Sequence, residues 1–258
     1  MELIFIGVGG TRKVTARQPR NVYTGGFRIH TEKLKFHVDP GPSALIRSKH
    51  IGINVEDTDV VILSHPHIDH YSDFFTIAVA MNGFGFKKRG LLFCHKSFIG
   101  QDNNEKIIQD YFISMFKKAF FLEENEEVII EHKDNFSIKT TKTDHDKDLK
   151  GFGFILTIEN KKIGYTSDTR YFPGLFKQFE NCDVLIANIT NIKKYKYNPH
   201  LSINDIENLY KECKPKKLFI YHIGEEIIAY GTKKLERFLR NKYLEDIIIP
   251  ISGSKFEI

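Results

Sequence analysis

The sequence has few of the features that would send it to a membrane, an oxidising compartment or a disordered tail. Among its 258 residues no uninterrupted apolar run approaches the roughly 18–20 that a spanning helix needs, and the apolar pieces are short, as in Asp246-Ile-Ile-Ile-Pro-Ile251. A helical membrane protein is therefore excluded. Cysteine is scarce: Cys94, Cys182 and Cys213 are far apart, odd in number and in no CxxC pair. Neither a disulfide framework nor a cysteine zinc site is expected. No low-complexity linker, strong repeat or break in composition divides the chain, so one domain spanning residues 1–258 is the expectation. The opening Met1-Glu-Leu-Ile-Phe-Ile-Gly7 enters strand composition directly, without the basic stretch and small-residue cleavage site of a secretory signal. A cytoplasmic location follows as an expectation.

What is present is a globular composition. Hydrophobic residues make up 41%, with 22 Phe and 11 Tyr, enough for a core that buries about 70–75% of the surface the unfolded chain exposes. The 38 Lys and Arg against 33 Asp and Glu leave +5, which permits an anionic substrate without requiring one.

Periodicity places strands at Glu2–Val8, Val22–His30 and Leu34–Val38, with Gly9–Asn21 as a polar, Gly-rich loop. Ser43 is placed to cap a helix through Lys49, Val60–Leu63 reads as a buried strand, and Tyr71–Met81 as helix. Gly90–Cys94 is a strand, Asn104–Phe120 has helical apolar spacing, and Val128–His132 and Phe136–Thr141 alternate as strands. Phe152–Glu159 and Lys162–Thr166 form a hairpin, and Asp183–Ile189 is a buried strand. Ser202–Glu212 is a helix opened by a Ser202/Asp205 capping box; Leu218–Tyr221, helical Glu225–Arg240 and strand Asp246–Ile251 follow. Runs of strands interrupted by helices in both halves predict an α/β fold of two mixed β-sheets with helices outside both, a four-layer αββα sandwich.

Chemistry concentrates where strands end. His65, His67, Asp69 and His70 fall within six residues directly after Val60–Leu63, in a Pro-containing turn. Imidazole nitrogen and carboxylate oxygen are zinc donors, and alternation lets His65 and His67 point one way while Asp69 and His70 curl to another. Asp168 in Tyr165-Thr-Ser-Asp-Thr169 and His222 in Phe219-Ile-Tyr-His-Ile-Gly224 also sit at strand ends, where α/β sheets place their sites. His145 lies in Thr143-Asp-His-Asp146, just before the hairpin. Taken singly, each of these also fits a solvated turn residue. Asp39, in His37-Val-Asp-Pro-Gly41, fits a carboxylate that steadies a histidine ring, the other reading being the start of a Pro-Gly turn.

With these residues, the chain resembles the metallo-β-lactamase fold superfamily over nearly its whole length. His65-Pro-His-Ile-Asp-His70 is similar to the superfamily's HxHxDH signature, His145 to its third histidine, Asp168 to its bridging aspartate and His222 to its terminal histidine. The resemblance implies an αββα sandwich with metals at one edge. His65, His67 and His145 would hold one metal and Asp69, His70 and His222 the other, with Asp168 and a hydroxide bridging them. Asp69 is then catalytic as well as a ligand, and Asp39 supports the metal histidines. The implied cofactors are two divalent cations, Zn²⁺ ahead of Mn²⁺ or Fe²⁺.

That ligand set serves phosphodiesters, lactones and lactams alike. His200, in Asn198-Pro-His-Leu-Ser202, matches a histidine found near the scissile phosphate in the ribonuclease Z-like branch. There it implies a general acid for a leaving alkoxide, the other reading being a helix-boundary histidine without a role. Ile192-Lys-Lys-Tyr-Lys-Tyr197 interleaves charge and rings, as a phosphate-gripping loop or a solvated turn would, while Lys87-Lys-Arg89 reads as surface. Gly7-Val-Gly-Gly10 and Pro19-Arg-Asn21 also resemble ribonuclease Z openings, but the long tRNA-gripping arm after the third histidine is absent. The expected activity is hydrolysis of a small or short phosphodiester, a cyclic nucleotide or RNA-like. A lactonase or β-lactamase is the alternative, and a di-iron or mono-iron redox enzyme ranks below it. The expected partners are a small anionic substrate or short nucleic acid, no membrane, and a second copy in a homodimer.

Overall fold

The computed structural model describes residues 1–100, 105–131, 133–196, 198–243 and 246–258. Alternating strand-forming residues give β1 (Glu2–Phe5), β2 (Phe27–His30), β3 (Lys35–Val38), β4 (Val60–Leu63), β5 (Leu91–His95) and β6 (Lys118–Leu122), side by side in that order. The second sheet contains β7 (Glu127–Glu131), β8 (Asn135–Thr141), β9 (Gly153–Ile158), β10 (Lys161–Tyr165), β11 (Val184–Asn191), β12 (Leu201–Ser202), β13 (Lys217–Tyr221) and β14 (Ile247–Ile248). Its order is β14-β13-β11-β10-β9-β8-β7, with β12 paired to β11 off this path; β15 (Lys255–Glu257) returns to the first sheet beside β1. Both sheets are mixed. β1–β3 pair antiparallel and β3–β6 parallel, while β7–β10 pair antiparallel and β10, β11, β13 and β14 parallel.

The helices are α1 (Arg12–Arg17), α2 (Ala44–His50), α3 (Ile68–Tyr71), α4 (Phe74–Met81), α5 (Asp110–Ser114), α6 (Ile206–Glu212), α7 (Glu225–Tyr230) and α8 (Thr232–Tyr243). Strand alternation explains the continuous apolar runs of β4 and β5. Val60, Ile62, Leu91 and Phe93 enter the core between the sheets, whereas Val61, Leu63, Leu92 and Cys94 pack with Phe74, Ile77 and Met81 of α4. Both faces are covered, so neither can be polar. Rings from the two sheets meet across the middle: Phe5 with Phe219 at 5.3 Å, Phe27 with Tyr165 at 5.1 Å and Phe36 with Phe136 at 5.2 Å. Leu209 of α6 and Leu235 and Leu239 of α8 join the core from the far side of the second sheet. This is the α/β arrangement of two mixed sheets and outer helices that strand and helix order implied.

Several elements differ from the sequence reading. Gly9–Asn21 contains α1, a helix too short to show a period, with Thr11 Oγ1 accepting from the Val14 N–H at 3.5 Å. Within Asn104–Phe120 only Asp110–Ser114 is helical; residues 101–104 lie outside the described residues, and Lys118–Leu122 is β6, paired parallel to β5. The spacing of Met115, Phe116 and Phe120 imitates a helix, but Phe120 and Phe121 are residues that sheets favour. Ser43 makes no side-chain cap; Asp73 accepts the Leu45 N–H at 3.0 Å instead. Glu225–Arg240 is two helices, broken at Gly231, whose φ of 94° a helix cannot hold. The first and last strands are shorter than read, the tail supplies β15, and His132 lies outside the described residues. No helix among the described residues is long and apolar enough to cross a membrane.

Candidate metal centre

The carboxyl ends of β3, β4, β10 and β13 and the loop after β8 converge at one edge of the sandwich. β4 delivers Ser64, which Asp39 catches twice, accepting its N–H at 2.7 Å and its hydroxyl at 2.6 Å. The chain is thereby turned so that His65 Nε2 lies 3.1 Å from His67 Nδ1, which is 3.1 Å from His145 Nε2. α3 follows at once, so Asp69 and His70 stand on a helical turn. His70 Nε2 is 3.2 Å from His222 Nε2, and Asp69 Oδ2 is 3.4 Å from that same nitrogen. Between the two groups lies Asp168, whose Oδ2 is 3.8 Å from His65, 3.6 Å from His145, 3.5 Å from His70 and 3.3 Å from His222. All seven proposed ligands are brought together, in groups whose ligand atoms lie within 4.8 Å of one another: His65, His67, His145 and Asp168 on one side, Asp69, His70 and His222 on the other.

The nitrogens that face away from this centre are anchored. His70 Nδ1 meets Asp39 Oδ2 at 2.9 Å, and donating there leaves Nε2 with its lone pair inward. His145 Nδ1 donates to the Pro199 carbonyl at 3.1 Å, His222 Nδ1 pairs with Thr190 Oγ1 at 3.0 Å, and His65 Nδ1 with Ser64 Oγ at 3.0 Å. Asn188 donates to Asp168 Oδ1 at 2.7 Å, and the Tyr165 hydroxyl to Asp39 Oδ2 at 2.9 Å. Asp39 and His222 hold left-handed backbones, φ 47° and 57°, a strain that persists where the surrounding structure fixes it. A Cβ at Gly10 would lie 2.0 Å from His222 Nε2, so this position needs glycine.

These anchors were missed in the sequence, apart from Asp39. Thr190, Asn188 and Tyr165 sit in apolar strands and become neighbours only through the parallel pairing of β10, β11 and β13. Gly10 carried a signal, in Gly9-Gly10, that pointed to no particular partner.

Charge and burial suit cations. Burial opposes ionisation of Asp168, but His222 and His70 outweigh it and hold the carboxyl well below its ordinary range; Asp69 is lowered in the same way by His70 and His222. Burial, then His70, hold His65 well below the usual histidine value, and burial lowers His67. Burial also works against charge on His70, yet Asp168, Asp69 and Asp39 raise it well above that value. A cation binding there displaces a proton from His70. The ring nitrogens of His65 and His67, 3.1 Å apart, and of His70 and His222, 3.2 Å apart, are close to the roughly 3.3 Å edge of a tetrahedron built on Zn–N bonds of about 2.0–2.1 Å. The residues fit a pair of divalent cations.

His200 belongs to the same cluster. Its ring lies between those of His145, 4.8 Å away, and His222, 5.5 Å away, and its Nδ1 is 3.6 Å from Asp168 Oδ2 with no hydrogen-bond partner among the described residues. Asp168, His200 and His222 form a further group with ligating geometry, so His200 stands beside the ligands rather than apart from them. Burial lowers its pKa to about 3. The lysine and tyrosine loop is elsewhere: Lys194 reaches Asp205 at 3.9 Å and covers the Tyr171 ring, while Tyr195 bonds Glu226. Ile192–Lys196 are not among the residues that line the cleft over the cluster, and Tyr197 lies outside the described residues. Arg89 straps the Glu56 and Thr58 carbonyls at the surface.

The Beta-lactamase superfamily domain family matches residues 35–223. An uncharacterized protein of Methanocaldococcus jannaschii is 37% identical over 227 residues, covering 87% of this chain and 83% of that one. Ribonuclease Z of Borreliella burgdorferi is 22% identical over 98% of this chain and 95% of its own length. The crystal structure of the metallo-beta-lactamase fold protein YhfI from Bacillus subtilis superposes with a TM-score of 0.79 at 21% identity, covering 100% of this chain and 99% of that one. With the matched family spanning most of the chain and a cluster of histidines and aspartates at the sandwich edge, the protein belongs to the metallo-β-lactamase fold superfamily.

Proposed function

We propose that the protein is a metal-dependent phosphodiesterase acting on a small or short phosphodiester, with zinc as its cation. The observation that carries the reading is His200: a half-buried imidazole whose buried Nδ1 has no partner, held against Asp168 in a cleft of about 770 Å³. Relief of ring strain helps a lactone or lactam open, whereas the alkoxide of a phosphodiester leaves without that help and depends more on a proton donor. The resemblance to ribonuclease Z sequences supports the same class.

In this reading His65, His67 and His145 would hold one cation and Asp69, His70 and His222 the other, with Asp168 within reach of both groups. Divalent cations bound there would polarise a phosphoryl oxygen and lower the pKa of water towards neutrality. The chain's own part is orientation and proton movement. Asp39, Thr190 and the Pro199 carbonyl fix the rings of His70, His222 and His145, so no reorganisation is left for the reaction itself. The Thr11 N–H holds Asp69 Oδ2 at 3.2 Å. His200 stands with Nδ1 3.6 Å from Asp168 Oδ2, where a protonated ring would reach the departing oxygen of a phosphodiester held at the centre.

The test is a hydrolysis panel on metal-loaded protein with bis-p-nitrophenyl phosphate, cyclic nucleotides, short RNA, an acyl-homoserine lactone and a cephalosporin. Turnover confined to phosphodiesters supports the reading, and turnover confined to lactone or lactam overturns it. Within the panel, His200→Ala is expected to cost about 10²–10⁴ on an alkyl diester and much less on the aryl one, whose p-nitrophenolate hardly needs a proton.

A further inference from the structure

The cleft over the cluster has two unlike walls. On the Asp69 and His222 side the wall is Thr11 and the start of α1: Thr11 N–H bonds Asp69, and Gly10 packs against the His222 ring. On the His67 and His145 side it is apolar, with Pro66, Ile68 and Leu149; Ile68 is 61% exposed, and the turn that carries Leu149 is tied to His67 through Asp146 at 3.5 Å.

The charges on the rim are nearly all committed. Glu225 is paired twice, with Lys13 at 3.2 Å and Arg17 at 2.5 Å. Glu226 accepts from the Ile192 N–H at 3.1 Å and from Tyr195, and Asp146 accepts from the Asp148 and Leu149 N–H groups at 2.8 and 3.1 Å. Arg12 is different. It lines the cleft, its side chain is exposed, and no carboxylate among the described residues lies within 4 Å of it. An arginine left unpaired where both neighbouring cations are spent on Glu225 presents a planar fork suited to a carboxylate or phosphate.

Building on the phosphodiesterase reading, we infer that Arg12 is the subsite for a second, non-reacting anionic group of the substrate. The substrate class is a phosphodiester with an additional phosphate or carboxylate on the substituent that lies towards Asp69 and His222. Its other substituent, an apolar or aromatic ring such as a nucleobase, lies against Ile68 and Leu149. A plain dialkyl phosphate fills only the centre of such a cleft and leaves both walls unused.

Calorimetric titration of the metal-loaded protein with adenosine 3′,5′-bisphosphate and with adenosine 5′-monophosphate tests the inference without turnover. The wild type is expected to prefer the bisphosphate by about tenfold or more, the strength of one charge-assisted bidentate contact. Arg12→Gln should abolish that preference with metal content unchanged, and Arg12→Lys should restore part of it. If Arg12→Gln keeps the preference, or weakens both nucleotides equally, the subsite is wrong while the phosphodiesterase reading stands. If neither nucleotide binds at millimolar concentration and the panel shows no phosphodiester cleavage, the phosphodiesterase reading itself fails, and the subsite with it.

Discussion

His65 just after β4, His70 on α3 and His37 within β3 are all buried, at 2%, 2% and 0% exposure, yet their surroundings ask opposite things of them. His65 and His70 turn a nitrogen towards other nitrogens and towards Asp168 and Asp69. His37 faces no such convergence. Its Nε2 donates to the Gly25 carbonyl at 3.0 Å, and its Nδ1 lies 3.5 Å from the guanidinium of Arg28, which is itself fully buried and bonds His30 at 3.0 Å and Thr58 at 2.9 Å. Burial and then Arg28 lower His37 to about 3 and His30 to about 4, and burial lowers Arg28 to about 10. The first group is a donor set waiting for a cation. The second already contains its cation, Arg28, which Asp57 faces at 3.8 Å, and forms a structural polar knot on the outer face of β2 and β3.

Substitution separates the two regions. The largest effect is expected from Asp168→Ala, which removes the oxygen shared by both ligand groups. Turnover should fall at least about 10³-fold, several kcal/mol of transition-state stabilisation, with loss of at least one metal by elemental analysis. Wild-type turnover in that variant would remove the shared-carboxylate account. Next, Arg28→Ala should cost about 3 kcal/mol of stability in denaturant titration, from the cavity and the unpaired groups left behind, without changing metal content. A loss of metal there would merge the two regions into one.

A smaller change is expected for Asp39→Asn. An amide can still bond Ser64 but holds the His70 ring less well, so metal affinity should drop about 10–100-fold, read by competition with a chelator. The smallest effect is on acid stability. His37 is neutral in the fold and titrates near 6.5 when unfolded, so between that pH and about 3 the unfolded chain binds the extra proton. Stability therefore falls as pH falls, by on the order of 1–2 kcal/mol from pH 6.5 to 5 for this residue. His37→Gln should flatten that part of the profile, measured by denaturant midpoints across pH; an unchanged slope would contradict the neutral assignment.

Much of the first region was legible because strand alternation and strand ends are one-dimensional features. His65, His67, Asp69 and His70 follow an apolar strand closely, and Asp168 and His222 fall within three residues of the ends of theirs. The second region was hidden for the same reason. Arg28, His30 and His37 alternate with Phe27, Ile29 and Phe36 and look like the solvated face of an antiparallel strand until helices and turns cover them. Anchors such as Asn188 and Thr190 were illegible because their partners are set by which strands pair, not by spacing. α1, which carries Thr11 and Arg12 to the cleft, was too short for its apolar period to appear, and β6 was obscured by phenylalanines at helical spacing.

The most direct test of the central claim is metal stoichiometry after reconstitution and desalting, on wild type, His37→Gln and a His67→Ala, Asp69→Ala double variant in parallel. The account predicts two divalent cations per chain for the wild type and for His37→Gln, and fewer for the double variant, which takes one ligand from each group. Full metal content in the double variant, or near-zero content in the wild type, would contradict it.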